Sequence, residues 1–438
     1  MGKYIHRIKH AVGCGLVHFV LFRKMYSKGQ FASKNVVTKE IRMRKIIIFE
    51  RGIETLSFFS AQLAIAWKQM GISIFSYQLD VEDETRREEQ LRRLKKFCKT
   101  GETMVVTFNF NGLRGEEELY RNGELFWARE QIPCVNIMVD HPFYYPELLD
   151  KVKEELGVEL YYQVLIDRDH KKFVERFYPE IIHTLFLPLA GTGIEWSWEK
   201  KKYDVVFTGN YTPPSQFRTY IDRIDEEYTR FYEGILKDLI THPCLTMEEA
   251  FEKHLKQEMG DLSDEDLKIC MGKMIFLDLY VRFYFRGEII RTLAEADVPV
   301  HVWGAGWDAL ECEKAENIII EGPTDTQGCL EALAKAKIAL NVMPWFKDGA
   351  HDRVFSAMQN GAVCVTDESI YLKQELCDGE DVVFYSLKEY KKLPQQIKHL
   401  LEKEETWTRI ARNGYDVTKE KHVWKERAEV ILKWMEQR

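Results

Sequence analysis

The sequence predicts an α/β protein built from two doubly wound parallel sheets. Short, continuously apolar runs rich in Val and Ile alternate with longer, charged helical stretches, a pattern typical of parallel strands covered on both faces. The alternation begins near residue 44, is interrupted by a long helical stretch, and restarts near residue 201. A chain of 438 residues is long enough for two such domains. These observations predict two Rossmann-like domains, a helical insert and C-terminal helices.

The first domain is predicted over residues 44–200, from six strands separated by helices. The first strand is KIIIFE, and the helix that follows it is expected to stop at Gly71. The six strands are predicted at 45–50, 72–78, 103–110, 133–140, 160–167 and 183–190.

The second domain is predicted over residues 201–400, with a helical insert at 215–296 between its first two strands. Pro213 and Pro214 mark the entry to the insert. The remaining residues, 401–438, are predicted as helices, with a joint at Gly414. Two doubly wound domains place a cleft between the carboxyl ends of their strands, where ligands of this architecture bind. The strands are predicted at 201–210, 298–304, 317–322, 337–344, 362–367 and 381–386.

Charge is distributed unevenly along the chain. The net charge is -8, which argues against a protein that coats nucleic acid. Residues 1–45 alone carry about +10, so the rest carries about -18. The basic leader, residues 1–43, contains the apolar run 11–22, which is too short to cross a bilayer. Two readings stay open for the leader: a helix packed on the body, or an amphipathic helix on an anionic membrane surface.

The nine cysteines indicate free thiols in a reducing compartment. Their number is odd, and no two are close enough in sequence for a CxxC pair or a zinc-binding pattern. The expected location is therefore the cytoplasm, with peripheral attachment to the inner membrane face if the leader binds lipid.

The segment MPWFKDGAHDRVFSAMQNGAVCVTD, residues 343–367, is predicted to hold an anion. It consists of a strand, a polar loop, a helix and a second strand, so the helix N-terminus is expected to face the cleft with free N–H groups. Lys347 and Arg353 add positive charge at the same end, and His351 precedes Arg353 on this loop. The alternative to an anion site is a capped helix whose neighbouring basic side chains are simply solvated.

The same segment resembles a known family. HDRVFSAMQNGAVCVTD (351–367) is similar to the C-terminal signature of GT-B glycosyltransferases of the group 1 type, particularly the spore-maturation (CgeB-like) glycosyltransferase-like proteins. The resemblance covers roughly residues 200–435, and DHPFYYPE (140–147) supports it in the N-terminal half. In chain order it also includes VVFTGN (205–210), VHVWGAGW (300–307), EGPTDTQGCLEALAKAKIALNV (321–342) and the tail 409–432.

The resemblance implies that the C-terminal domain binds a nucleoside diphosphate sugar, with a UDP-sugar favoured, and needs neither a metal ion nor a cofactor. Arg353 and Lys347 would contact the diphosphate, and His351 would contact the donor. Trp307 would either stack on the base or pack in the core. The remaining donor contacts would come from two glycine turns formed by Gly209, Asn210, Gly304 and Gly306.

One departure from the family pattern concerns two acidic positions. Many retaining GT-B enzymes have two glutamates separated by seven residues, and these positions hold Asp348 and Ser356 in this chain. The first keeps a carboxylate. The second keeps only a hydroxyl, where the family's acid would hold the ribose.

The N-terminal domain offers a catalytic pair, Asp140 and His141, at the end of a predicted strand. A carboxylate beside an imidazole can orient and deprotonate an acceptor hydroxyl. A turn that caps the next helix is the alternative. The segment Asp167–His170 is interpreted as a helix N-terminus rather than a metal site.

These patterns together predict a metal-independent glycosyltransferase that acts on a glycan, lipid-linked or protein acceptor. The resemblance implies retention of anomeric configuration, whereas a base at Asp140 or His141 would suit inversion. Two alternatives stay open. Ser356 favours a non-catalytic protein of the cell envelope or spore that keeps the fold, and a nucleotide-sugar epimerase ranks below it.

Overall fold

The computed structural model describes residues 43–437, so the expectations for the basic leader lie outside the described residues. Two six-stranded sheets form the framework, and all neighbouring strands within each sheet are parallel. The predicted fold class is therefore confirmed.

The N-terminal sheet domain spans residues 43–186, and its strands lie in the order β2-β1-β3-β6-β7-β8. A two-stranded antiparallel hairpin, β4 and β5, adds to the six predicted strands. The strands are β1 Lys45–Glu50, β2 Ser73–Gln78, β3 Thr103–Phe108, β4 Tyr120–Arg121, β5 Glu124–Leu125, β6 Cys134–Met138, β7 Tyr161–Leu165 and β8 Thr184–Phe186. The helices are α1 Glu54–Gln69, α2 Glu84–Phe97, α3 Phe126–Arg129, α4 Pro146–Glu155 and α5 Arg168–Phe177.

Strand β3 ends two residues earlier than predicted. Asn109 and Phe110 both have positive φ, 46° and 64°, so the backbone leaves the extended conformation there. Asparagine is among the residues that tolerate this conformation, whereas two such residues in succession indicate local strain. The turn lies where the strand order of the sheet reverses, which is the usual position of a ligand crevice.

The C-terminal sheet domain spans residues 203–385, and its strands lie in the order β11-β10-β9-β12-β13-β14. This order reverses between β9 and β12, so the expected crevice lies beyond the carboxyl ends of those two strands. The strands are β9 Tyr203–Thr208, β10 Val300–Trp303, β11 Ile318–Gly322, β12 Ala336–Asn341, β13 Val363–Asp367 and β14 Val383–Tyr385.

The helical insert connects β9 to β10, and it also contacts the N-terminal sheet domain. Arg176 of α5 pairs with Glu252 at 2.6 Å and with Asp264 at 2.6 Å, both on the insert. The insert comprises α6 Arg218–Ile221, α7 Glu226–Thr241, α8 Met247–Met259, α9 Asp264–Gly272 and α10 Ile275–Glu295. The later helices are α11 Thr326–Ala334, α12 Asp352–Gln359, α13 Ile370–Glu375, α14 Leu393–Leu401, α15 Glu404–Lys421 and α16 Trp424–Glu436.

The predicted joint at Gly414 is wrong. Gly414 lies inside α15, and the chain breaks later, at His422 and Val423. A Cβ at Gly414 would lie 2.6 Å from the carbonyl oxygen of Asp381 and 3.1 Å from Met358. The glycine therefore allows α15 to lie close to its neighbours instead of ending it.

The last helix, α16, packs on the N-terminal sheet domain. The Trp67 Nε1 on α1 donates to the carbonyl of Ala428 at 3.1 Å, and the rings of Phe59 and Trp424 lie 5.2 Å apart. None of the helices between residues 43 and 437 is both long and apolar enough to span a bilayer. The eight cysteines in this range are free thiols.

Candidate functional site

Arg353 lies at the crevice between β9 and β12, in the first turn of α12. Its Nη1 donates to the carbonyl of Thr208, the last residue of β9. The Nε and Nη2 atoms are buried, and no described residue accepts a hydrogen bond from either. Such unpaired donors are costly unless a ligand supplies an acceptor.

Two further arginines reach the same crevice from α10 of the insert. Arg282 and Arg286 are four residues apart, so they lie on one face of the helix. Their guanidinium groups lie 4.0 Å and 5.3 Å from the centre of the Trp345 ring. Nη1 of Arg286 donates to the carbonyl of Asn210 at 2.8 Å. Arg282, Arg286 and Arg353 are called the arginine cluster below.

The arginine cluster has an excess of positive charge. Burial lowers the pKa of Arg286 well below its usual value, and the charges of Arg353 and Arg282 lower it further. Burial also lowers the pKa of Arg353. The Nε atoms of all three arginines are buried without a partner. Since the protein supplies these donors and leaves them unsatisfied, the cluster is suited to an anion with several oxygen atoms.

The residues predicted from sequence do not include Arg282 and Arg286. Arg282 lies in the apolar-rich stretch 270–285 and Arg286 directly follows it, in a part of the chain predicted only as the helical insert. Two arginines four residues apart among so many apolar residues are a detectable signal, because charged residues are almost never fully buried without a partner or a ligand.

Lys347 and His351 lie on the loop between β12 and α12, as predicted. The Nζ of Lys347 donates to the carbonyl of Pro243 at 2.5 Å and to that of Pro344. Nδ1 of His351 lies 2.6 Å from a carboxylate oxygen of Asp352. Burial and the charge of Arg353 lower the pKa of His351 to about 4, so its ring is neutral near pH 7. Both side chains already have protein partners.

The two glycine turns interlock. Gly209 donates its N–H to the carbonyl of Trp303 at 2.7 Å, and the Asn210 side chain accepts the N–H of Ala305 at 2.9 Å. A Cβ at Gly304 would lie 2.3 Å from the carbonyl oxygen of Gly209. Gly306 has a φ of 85°. Glycine is needed in these turns because their two backbones approach each other closely.

Trp307 has the environment of a core residue. It is 2% exposed, and its Nε1 donates to the carbonyl of Gly209 at 2.8 Å. Its ring stacks on Tyr211 at 5.1 Å. Of the two predicted alternatives, the structure therefore has core packing, which leaves no free ring face for a nucleotide base.

Asp348 and Ser356 bind parts of the chain outside the crevice. Asp348 is 8% exposed and pairs with Arg168 of the N-terminal sheet domain at 2.8 Å. The Ser356 hydroxyl accepts the N–H of Thr192 at 3.1 Å, in the segment that joins the two sheet domains. The Ser356 hydroxyl oxygen, for which the resemblance implies a contact with ribose, thus has a protein partner in this segment.

Asp140 lies at the end of β6 with one oxygen engaged and one unengaged. Oδ2 accepts hydrogen bonds from Asn109 at 3.0 Å and from the Tyr145 hydroxyl at 2.8 Å. The Asn109 amide is fixed because its oxygen accepts the N–H of Val139. No described residue donates to Oδ1 of Asp140. A carboxylate held on one side in this way can receive a proton on the other.

His141 has both ring nitrogens engaged. Nε2 lies 3.2 Å from a carboxylate oxygen of Glu248 on α8, and Nδ1 accepts the N–H of Phe143 at 3.3 Å. The residue is 6% exposed. Of the predicted catalytic pair, Asp140 is therefore the more accessible residue.

Asp167 caps α5, and it also contacts the other sheet domain. Oδ1 accepts the N–H of Asp169 at 2.7 Å, while Oδ2 accepts those of Lys347 and Asp348 at 3.1 Å and 3.0 Å. Burial raises the pKa of Asp167 to about 7. Within residues 43–437, no group of three or more His, Cys, Asp or Glu side chains is arranged to hold a metal ion.

Comparison with known proteins agrees with this architecture. Residues 286–433 match a family model described as glycosyl transferase-like. The crystal structure of HepE from Anabaena in complex with UDP-glucose has a TM-score of 0.52 at 9% identity, over 90% of this chain and 100% of that one. HepE in complex with UDP and glucose gives a TM-score of 0.51 with the same identity and coverage. No curated protein matches this chain.

The fold of the described chain is that of GT-B glycosyltransferases. The family match covers β10 to α16 and includes Arg286, Arg353 and Ser356. Neither comparison distinguishes the spore-maturation group from other glycosyltransferases. Residues 286–433 are thus glycosyl transferase-like in sequence, within a chain that has the GT-B fold.

Proposed function

We propose that this protein transfers a sugar from a nucleoside diphosphate sugar to an acceptor hydroxyl. The arginine cluster carries the proposal, because three guanidinium groups with buried, unsatisfied N–H donors lie where the strand order of the C-terminal sheet reverses. A departing diphosphate has several oxygen atoms and a growing negative charge, so this arrangement stabilises it more than it stabilises the bound donor.

UDP is the proposed leaving group. The supporting observation is that HepE, which has the same fold, was crystallised with UDP and with UDP-glucose. In the proposed reaction the arginine cluster provides the charge that many enzymes obtain from a metal ion, so we expect activity in the presence of EDTA.

The N-terminal sheet domain is the proposed acceptor side. Oδ1 of Asp140 receives the proton of the acceptor hydroxyl, while His141 holds the neighbouring backbone and contacts Glu248. This role predicts inversion of the anomeric centre, whereas the family resemblance predicts retention. The anomeric proton signals of the product, measured by NMR, distinguish the two outcomes. Glycan, lipid-linked and protein acceptors all remain substrates to be tested.

Thermal stability with nucleotides tests the donor class directly. UDP, GDP, dTDP and CDP are titrated against the purified protein, with and without EDTA. We expect UDP to raise the melting temperature in EDTA and Arg353→Ala to abolish that shift. No shift with any of the four nucleotides would contradict the proposal. A shift with a different nucleotide would change only the proposed donor.

A non-catalytic role is the second candidate, favoured by the contact between Ser356 and Thr192. It predicts nucleotide binding without turnover. Incubation with a UDP-sugar and measurement of released UDP distinguishes the two, since even slow hydrolysis of the donor requires the catalytic arrangement. If the wild type is already a transferase, Ser356→Glu should give no transferase activity that the wild type lacks.

The leader is proposed to attach the protein to the inner face of an anionic membrane. This proposal depends on the excess of basic residues in positions 1–43. Vesicles containing phosphatidylserine should pull down the full chain but not a variant that lacks residues 1–42. Equal binding by both would contradict it.

A further inference from the structure

A single carboxylate, Asp278, connects the arginine cluster to the N-terminal sheet domain. Asp278 lies on α10 and is 1% exposed. Its Oδ2 accepts from Nη2 of Arg282 at 3.0 Å and from the hydroxyl of Tyr144. Its Oδ1 is buried, and no described residue donates to it. Burial of a charged carboxylate is costly, so its two partners must offset that cost.

The pKa of Arg282 differs from that of Arg286 because Asp278 accepts a hydrogen bond from Arg282. Burial by itself would lower the pKa of Arg282, yet Asp278, Tyr144 and Asp140 together raise it. The pKa of Arg286, four residues further along the same helix, is lowered. Asp278 therefore stabilises one guanidinium of the cluster against the repulsion of the other two.

Tyr144 belongs to the segment that also contains the proposed base. Residues 140–145 include Asp140, and two of their polar side chains contact the insert. His141 contacts Glu248 on α8, and Tyr144 contacts Asp278 on α10. Tyr145, the next residue, donates to Asp140. One short segment thus holds the acceptor-side carboxylate and the helix that carries two donor-side arginines.

We propose that Asp278 is a positioning residue, which fixes Arg282 over Trp345 and links the diphosphate site to the 140–145 segment through Tyr144. Binding of the diphosphate is then strongest when Tyr144 holds Asp278, and through it Arg282, in place. This inference rests on the proposed function for the identity of the anion, although its test needs no sugar transfer.

Inorganic pyrophosphate is the probe, with its Kd for the full chain measured by calorimetry. The Asp278→Asn variant distinguishes two roles by the sign of its effect. If Asp278 only contributes negative charge near the anion, its removal should tighten binding. If Asp278 positions Arg282, its removal should weaken binding by about tenfold, the loss of one well-oriented charged hydrogen bond.

Tyr144→Phe leaves every charge in place and removes only the hydrogen bond from the Tyr144 hydroxyl to Asp278. We expect pyrophosphate binding about threefold weaker in this variant, a loss of under 1 kcal/mol. The matched control is Arg176→Gln, which breaks ion pairs between the same insert and the same domain, away from the arginine cluster. It should leave the Kd unchanged within a factor of two.

Three outcomes would overturn the inference. Asp278→Asn could bind pyrophosphate as tightly as the wild type or more tightly, Arg176→Gln could weaken binding as much as Tyr144→Phe, or the wild type could fail to bind pyrophosphate. The last outcome would also overturn the proposed function. A wild type that binds pyrophosphate but transfers no sugar would contradict the proposed function alone.

Discussion

Glu54 and Thr326 join the two sheet domains through two hydrogen bonds. The carboxylate of Glu54, the first residue of α1, accepts the N–H of Thr326 at 3.2 Å and its hydroxyl at 2.8 Å. Thr326 is the first residue of α11. A carboxylate from one domain thus meets the positive end of a helix dipole in the other, an arrangement that stabilises the contact between the two domains.

Glu54→Gln should loosen this contact without unfolding either helix. The amide oxygen accepts more weakly than a carboxylate, so we expect the Thr326 N–H to exchange faster with deuterium. Hydrogen–deuterium exchange of the 324–330 peptide measures this. The control is Glu84→Gln, at the start of α2 on the N-terminal sheet domain, which should not alter that peptide. If the 324–330 peptide exchanged at the wild-type rate in Glu54→Gln, the stabilising role of the Glu54–Thr326 contact would be contradicted.

Arg286→Met should have opposite effects on stability and binding. It removes a buried charge that two neighbouring arginines repel, so we expect the free protein to melt at an equal or higher temperature. It also removes donors to the diphosphate, at a cost of about 1.5–3 kcal/mol, or roughly 10- to 150-fold in Kd. Calorimetry with UDP and a melting curve test both. Arg291→Met, on the same helix but paired with Glu288, should leave the Kd unchanged.

Asp140→Asn should abolish transfer while the donor still binds. The amide keeps an oxygen for Tyr145 but is not a base, so we expect kcat to fall by about 100-fold or more. The initial rate of UDP release reports this, and the Kd for UDP should stay within a factor of two. His141→Gln is the comparison. A larger loss of kcat in that variant than in Asp140→Asn would reverse the roles of the two residues.

Asp367 should make stability decrease as pH rises. It ends β13, is 1% exposed, and burial raises its pKa to about 7 against the opposing effects of the Met343 N–H and Lys347. The folded state therefore retains a proton that the unfolded chain releases above pH 4, so stability is lost as pH rises from about 4 to about 7.

Asp367→Asn should remove this dependence, because an asparagine never ionises. Its advantage over the wild type should grow between pH 4 and pH 8 by up to about 4 kcal/mol, the size of a three-unit pKa shift. Urea unfolding at several pH values measures it. A constant difference between the two proteins across this range would exclude the assigned pKa.

Gly414→Ala should destabilise the protein although alanine is the better helix former. The new methyl group would clash with the Asp381 carbonyl at 2.6 Å, and the strain of about 1–3 kcal/mol exceeds the gain in helix propensity of about 1 kcal/mol. The comparison is Gly234→Ala in α7, where the new methyl group would meet a side-chain atom, Cε1 of His254 at 3.0 Å, instead of a backbone carbonyl. Denaturant melts should show a larger loss of stability in Gly414→Ala than in Gly234→Ala.

The sequence was sufficient for the twelve strands of the two parallel sheets and for the position of Arg353 at the start of a helix, because both depend on local patterns. Apolar runs identify strands, and a polar loop before a helix identifies an anion site. Arg282 and Asp278 could not be placed in the site in this way, since only the packing of the insert brings α10 to β9 and β12. The core position of Trp307 and the contact of Ser356 with Thr192 also depend on distant parts of the chain.

The packing of α16 on α1 has a consequence for synthesis. Trp67 and Phe59 of the N-terminal sheet domain are covered by residues made more than 350 positions later. Until residues 424–436 leave the ribosome, that domain exposes the apolar surface that α16 will bury, although its own strands are already complete. The domain made first is thus among the last to be finished, and a chain stalled before residue 424 should be a substrate for chaperones.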